Sequence, residues 1–420
     1  MTTVRRLRWW IIALVCVGTV LNYLSRNSLG VLAPVLMRDL GLTTQQYSWV
    51  VGAFQVAYTV MQPIGGAIID GVGLKLAFAL FALCWSIINM AHGLAGGWMS
   101  LAFFRALLGI AEAPTIPAGI KAVHEWFPPK DRSVAVGYFN AGTSLGALIA
   151  PPLVIFLSLN FGWRAAFGVT GALGIAWALA WYMLYDPPWK HRSLAPEERA
   201  IAERQRQDDA SPTRVSTWSI LRQRSFWAMA IPRFLAEPAW QTFTFWIPLY
   251  LARERGMDLK QIALFAWLPF LAADAGGILS GYLPPFLMKY ARTGLLTSRA
   301  IGVALGALLM IAPACIGLAV NAYTAIILLC IGGFAHQTIS VLINTLTADV
   351  FPRDAVARSN GLVGMFGWTG GLLFSLFIGA WADTIGFTPL FALLGAFDVV
   401  GAIVLFALLR PARMDAAAKA

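Results

Sequence analysis

Apolar residues run through this chain in long blocks, broken by short polar stretches. A helix needs about 20 apolar residues to cross a bilayer. Twelve blocks meet that length, near 10–33, 47–70, 76–94, 97–122, 133–158, 162–185, 226–251, 261–286, 299–320, 322–346, 359–382 and 387–409. The pattern predicts an all-α membrane protein of twelve transmembrane helices in two pseudo-symmetric six-helix bundles, 1–185 and 226–420, the second ending in a short cytoplasmic tail. Between them, 186–225 reads as a cytoplasmic linker: it holds eight Lys/Arg, six Asp/Glu and the turn-prone DDASPTRVST. Ser193 is placed to cap a short interfacial helix through LAPEERAIAERQRQ.

The two halves match at a constant offset of 224. Phe127-Pro128 aligns with Phe351-Pro352, and Gly109, Gly137 and Gly146 align with Gly333, Gly361 and Gly370. Gly162, Phe167 and Gly171 align with Gly386, Phe391 and Gly395. One offset held over spans 4–6 and 10–12 indicates a parallel duplication, the arrangement of transporters that place a substrate site between two halves. Under it Glu112 falls opposite His336.

The chain is 59% hydrophobic and 12% charged, with a mean hydropathy of +0.69, which is too few charges to cover a soluble protein of 420 residues. Its net charge of +11 has a topological origin. With the N-terminus cytoplasmic, only Arg38, Arg164, Arg253, Arg255 and Lys260 fall outside and Arg26, Arg105 and Arg233 in the membrane, leaving 23 of the 31 Lys/Arg on the cytoplasmic side. That is the positive-inside bias, with both termini cytoplasmic; it argues against nucleic-acid binding. Arg5-Arg6-Leu7-Arg8 imitates a signal peptide, but the apolar run after it is too long and no small-residue cleavage site follows, so it reads as an uncleaved first span. Cys16, Cys84, Cys315 and Cys330 lie in apolar runs without CxxC or metal-ligand spacing, and no GxxxxGK[ST] is present, so neither a metal, a cofactor nor ATP-driven transport is expected. Gly142-Thr143-Ser144-Leu145-Gly146 fits GxSxG, but inside a membrane helix its glycines read as close-packing positions.

The stretch RALLGIAEAPTIPAGIKAVHEWFPPKDRS, Arg105 to Ser133, carries the strongest polar signal. Arg105, Gly109 and Glu112 share a helix face. An ionisable residue in mid-bilayer costs roughly 2.5–3.5 kcal/mol on insertion scales and marks a functional site by default. Arg26, in NYLSRNSLG, is read as a carboxylate-binding fork. Arg105 reads equally as a structural partner and as part of proton coupling. Glu112 is the leading proton site, with a permanent ion pair as the alternative. Arg233 and Glu237 sit at i,i+4 and read first as an internal salt bridge, with Glu237 as the second proton candidate. Asp274 and Asp398 are intramembrane acids without an evident partner. Tyr58, Gln62, Asn140, Thr143, Trp240, Gln241, His336, Gln337, Asn344 and Trp368 are polar or amphipathic residues in otherwise apolar helices. Singly each fits packing or interhelical hydrogen bonding; together they suit a pocket for a hydroxylated anion.

Two sets of motifs carry a family resemblance. Gly66-Ala67-Ile68-Ile69-Asp70-Gly71-Val72-Gly73-Leu74-Lys75 resembles the loop signature of the major facilitator superfamily, with Gly71 where a basic residue is usual. The resemblance implies a gating role for Asp70 and Lys75. Arg105…Gly109…Glu112…Pro117, followed by Trp126-Phe127-Pro128 and Asp131-Arg132, is similar to the anion:cation symporter family. TQQYS (44–48), AYTVMQP (57–63), SVAVGYFN (133–140), PRFLAEPAW (232–240), CIGGFAHQ (330–337) and ADTIGF (382–387) resemble bacterial hexuronate transporters. That resemblance implies a monomeric inner-membrane symporter taking up galacturonate or glucuronate with protons by alternating access. It also favours Tyr58, Asn140, Trp240 and Gln337 within the substrate pocket. Ser25 stands where many relatives carry an acid beside the first-span arginine, so a two-carboxylate coupling scheme does not transfer. The alternatives are a symporter for an aldonate, aldarate or aromatic carboxylate, an efflux antiporter, and a membrane sensor, for which 186–225 is too short.

Overall fold

The computed structural model of the chain describes residues 7–195, 199–200, 202–203, 216–245, 247–257, 261, 265 and 267–417. Every regular element among them is helical. Among the described residues, eight stretches of helix are long and apolar enough to cross a membrane, including Leu7–Ala33, Trp98–Trp126 and Ala322–Val350. The spans expected near 47–70, 226–251, 261–286 and 359–382 fall on helices outside that set. Large apolar side chains such as Phe103, Phe156, Met183 and Ile403 remain exposed along the helices, as a lipid-facing surface requires. The helix expected after Ser193 lies largely outside the described residues.

The chain divides into two compact units. The first comprises Met1–Phe127, Tyr138–Val215 and Phe351–Gly361, and the second Pro128–Gly137, Ser216–Val350 and Leu362–Ala420.

The first unit contains α1 (Leu7–Asp39), α2 (Thr44–Val72), α3 (Leu74–Ala91), α4 (Trp98–Glu112), α5 (Thr115–Trp126), α6 (Pro129–Phe161) from Tyr138 onward, and α7 (Trp163–Leu184). Thr43 and Gln46 form a reciprocal capping box that starts α2. Gly73, at φ +98°, turns α2 into α3 in a single residue, a conformation that disfavours side chains with a Cβ. The expected fourth span divides between α4 and α5 at Ala113-Pro114, because a proline nitrogen cannot continue the hydrogen-bond ladder. Glu112 therefore ends a helix in mid-span. The helix α6 approaches α1 through Gly142 and Gly146, whose Cβ positions would come within 2.7 Å of Cys16 O and 2.6 Å of Val20 O. The GxSxG stretch is thus a packing surface.

The second unit contains α8 (Arg224–Phe245), α9 (Ile247–Arg255), α10 (Leu268–Tyr290), α11 (Leu295–Leu309), α12 (Ala322–Val350), α13 (Val356–Ile385) from Leu362 onward, α14 (Phe387–Leu409) and α15 (Pro411–Ala417). The ninth span, expected through 320, breaks at Met310, leaving Ile311–Ala314 as a separate short helix. Asp415 on α15 caps α11, accepting from Leu296 N at 3.0 Å and Thr297 N at 2.9 Å.

The sequence repeat is also a repeat of contacts. In the first unit a Cβ on Gly171 would strike Ser86 O and Met90; in the second, one on Gly395 would strike Met310 O and Ala314. Each residue of the second set stands 224 positions after its counterpart. The turn glycines Gly162 (φ +82°) and Gly386 (φ +74°) obey the same offset.

Candidate functional site

In the first unit the polar residues converge on Arg26. It lies in the middle of α1, while Glu112 is brought to it at the broken end of α4. Arg26 Nε lies 3.0 Å from Glu112 Oε2, and Arg26 also donates to Asn22 Oδ1 at 3.2 Å, one turn back. The guanidinium lies over three rings, with centroid distances of 4.4 Å to Tyr23, 4.6 Å to Tyr58 and 5.3 Å to Phe54. Such stacking on aromatic faces suits a weakly hydrated, planar cation. Glu112 is fully buried, and its second oxygen, Oε1, has no hydrogen-bond partner.

Arg105 occupies the same cluster without pairing to Glu112. Its guanidinium lies 4.6 Å from the Phe54 centroid and donates to the carbonyl of Arg26 at 3.3 Å, while its Nε is unpartnered. Gly109 lets α4 come this close to α2: a Cβ there would meet Phe54 O at 2.5 Å. The first unit therefore holds two guanidiniums and one carboxylate in one buried cluster. Among the sequence candidates it unites Arg26, Tyr58, Arg105 and Glu112. Asn140 and Thr143 are buried on one face of α6, flanking the glycines that seat it on α1.

The second unit builds its own cluster on α8. Arg233 lies 2.8 Å from Glu237 Oε2, one turn on, and donates to Ser340 Oγ on α12 at 2.7 Å. Trp240 stacks on His336 with centroids 5.4 Å apart at 19°, and packs edge-on against Phe270. Gln241 is buried against α13, where Gly371 leaves it room, and Gln337 packs beside Gly277 on α10. Trp368 is half-buried on α13. Among these residues Trp240 and His336 meet.

The loop-signature residues go to different partners. Asp70 accepts from Lys121 Nζ at 2.8 Å and from the backbone N–H of Arg358 at 2.8 Å, both carboxylate and ammonium being buried. Arg358 sits in the first turn of α13, so the carboxylate satisfies one of the free N–H groups of a helix N-terminus. Lys75 instead binds Asp186 at 2.9 Å, beside Tyr182. In the second unit Asp349 bridges Arg132, at 3.0 Å, and Arg299.

Sequence reading missed Phe54, Lys121, Arg358, Asp186 and Asp349 as members of these clusters. Phe54 was accessible in principle, one helical turn before Tyr58 on the same face. The others depended on partners remote in sequence. Among the described residues no group of three or more His, Cys, Asp or Glu is arranged to hold a metal ion.

Comparison with known proteins agrees with this architecture. The Major Facilitator Superfamily profile matches residues 15–314. The chain is 51% identical to the hexuronate transporter of Escherichia coli K12 over 413 residues, covering 98% of this chain and 96% of that one. It is 48% identical to the galacturonate transporter of Dickeya chrysanthemi over 329 residues, 78% of this chain and 95% of the relative. In fold it resembles the human organic anion transporter MFSD10, with a TM-score of 0.74, 16% identity and coverage of 96% of this chain and 100% of that one. The protein is a multi-pass membrane transporter. It belongs to the Major Facilitator Superfamily.

Proposed function

We propose that this protein imports hexuronates, galacturonate and glucuronate, together with protons, across the bacterial inner membrane by alternating access. It acts as a monomer, with both termini cytoplasmic, bundles 1–185 and 226–420, and a linker over 186–225. The names of the two close relatives support the substrate class. The observation that carries the reading is the charge imbalance in the first unit: two guanidiniums, the part-buried Arg26 and the buried Arg105, against one carboxylate, Glu112.

That imbalance leaves room for one monoanion. A hexuronate carboxylate entering the cluster competes with Glu112 for the planar fork of Arg26, and Arg105 supplies the second cation. Once displaced, Glu112 would be an uncompensated buried anion, so it takes a proton. Empty, the cluster carries one net positive charge; with both substrate anion and proton it carries the same. Anion alone or proton alone changes that charge by one in a low-dielectric site, where such a change is expensive. This favours transit of the empty and doubly loaded forms, and thereby couples the two fluxes. Tyr58, Asn140, Thr143, Trp240, Gln241, His336, Gln337 and Trp368 contribute hydroxyl, amide and ring contacts for the sugar. Asp70 and Lys75 act at the gate.

The test is uptake of labelled galacturonate into liposomes holding the purified protein, with and without an inward proton gradient. Glucuronate, galactonate and phthalate serve as competitors. Gradient-driven uptake blocked by hexuronates alone is the expected result. Competition by galactonate or phthalate instead would move the assignment to another sugar acid or organic anion.

A further inference from the structure

The charge balance in the second unit has the opposite sign. Its mid-membrane cation is Arg233, and two carboxyl groups face it. Glu237 Oε2 lies 2.8 Å from Arg233 Nη2 without an aligned hydrogen bond, while Arg233 Nη1 donates to Ser340. Asp398 on α14 is the other. Three residues later, Gly401 seats α14 on α8, where a Cβ would stand 3.2 Å from the Cα of Pro232, Arg233's neighbour. Asp398 shares that face at i,i+3. It is only 3% exposed, its Oδ2 has no partner, and the charge acting on it is that of Arg233.

Among the described residues no other cation balances it: Arg255 on α9, which meets α14 at Tyr250 and Phe391, is engaged by Tyr250 and the carbonyls of Ile316 and Ala319. Asp398 is the one ionisable residue in Phe387–Leu409, the most apolar of the candidate spans. From α8 it faces Arg233. The helix α11 carries only Arg299, already engaged by Asp349 and the carbonyl of Pro129. The short helix Ile311–Ala314 and the turn Ile316–Leu318, also packed on α14, carry no ionisable side chain, and Cys315 between them is a free thiol. His336 on α12 lies stacked on Trp240. With both acids ionised, the cluster would hold a net negative charge inside the bilayer, where an isolated carboxylate is neutralised rather than buried as an anion.

We propose that Asp398 is a proton-binding site, separate from Glu112, and that its bound proton leaves Arg233 paired one-to-one with Glu237. The inference stands on the second unit alone and holds whether or not hexuronate is the substrate.

The experiment uses the purified full-length protein in detergent, read by infrared difference spectroscopy and by thermal melting from neutral to alkaline pH. In the wild type, a protonated-carboxyl band is expected at neutral pH, disappearing on alkaline titration. Asp398→Asn removes that band, whereas Glu112→Gln leaves it in place. Because the folded state keeps a proton that the unfolded chain releases above the ordinary carboxylate range, wild-type melting temperature falls as pH rises from neutral toward the titration and levels off beyond it. Asp398→Asn, a neutral mimic that releases no proton on unfolding, melts at or above the wild-type temperature at neutral pH and loses the fall with rising pH. Should Asp398→Asn fail to fold, that alone overturns the proposal, since a neutral isostere should substitute for a neutral acid. So does a variant that folds but keeps the band, or one destabilised at neutral pH with its alkaline fall unchanged.

Discussion

Arg26 and Glu112, 86 positions apart in sequence, form a 3.0 Å ion pair with the carboxylate fully buried, while Arg105 beside them is left without a carboxylate. Arg105, which shares a helix face with Glu112, donates instead to the carbonyl of Arg26.

Glu112→Gln keeps a side chain of the same shape and removes the proton site. Concentrative uptake of labelled galacturonate under a proton gradient should be lost, while exchange of internal for external substrate continues. Continued accumulation by the variant would place the coupling proton elsewhere.

Arg26→Ala strands Glu112 in an apolar interior. Removing one partner of a buried pair costs about 3–5 kcal/mol, so the variant should melt well below the wild type. Arg26→Ala with Glu112→Gln should recover most of that loss. A double variant as unstable as Arg26→Ala would show that the stacked guanidinium, rather than its charge, stabilises the site.

Arg105→Gln leaves no carboxylate unpaired, so stability should change by less than for Arg26→Ala. Substrate binding should weaken instead. A charge-assisted hydrogen bond contributes about 1.5–3 kcal/mol, which corresponds to a roughly 10- to 150-fold rise in Kd by calorimetry. Unchanged affinity would remove Arg105 from the pocket.

Asp70→Asn retains a side chain able to accept from Arg358 N–H but leaves Lys121 as a buried, uncompensated ammonium. Thermal stability should fall by about 3–5 kcal/mol, and Asp70→Asn with Lys121→Met should restore much of it. Full stability in the single variant would mean Lys121 finds water.

The fold was largely legible in the sequence because bilayer thickness fixes helix length and the apolar blocks obey it. Boundaries moved where local chemistry intervened: Pro114 split the fourth span, and the ninth broke at Met310 before Pro313. The duplication was legible through Gly109, Gly171, Gly333 and Gly395, since positions of close helix approach tolerate little else. Arg26, Arg105, Arg233, Glu112 and Glu237 announced themselves as charges in apolar runs. Their pairing did not. Spacing along one helix suggests i,i+4 partners, which held for Arg233 and Glu237; Glu112 found its arginine on another helix. Asp398 had no local partner to suggest a cluster, and only the seating of α14 at Gly401 set it beside Arg233.

The bond from Asp70 to Arg358 spans 288 positions, and the unit containing Asp70 draws in Phe351–Gly361. During translation, the first unit therefore waits for a segment made after most of the second. A gene cut at the linker would yield an amino-terminal product that folds with Asp70 short of one partner, until the other product is synthesised in the same membrane.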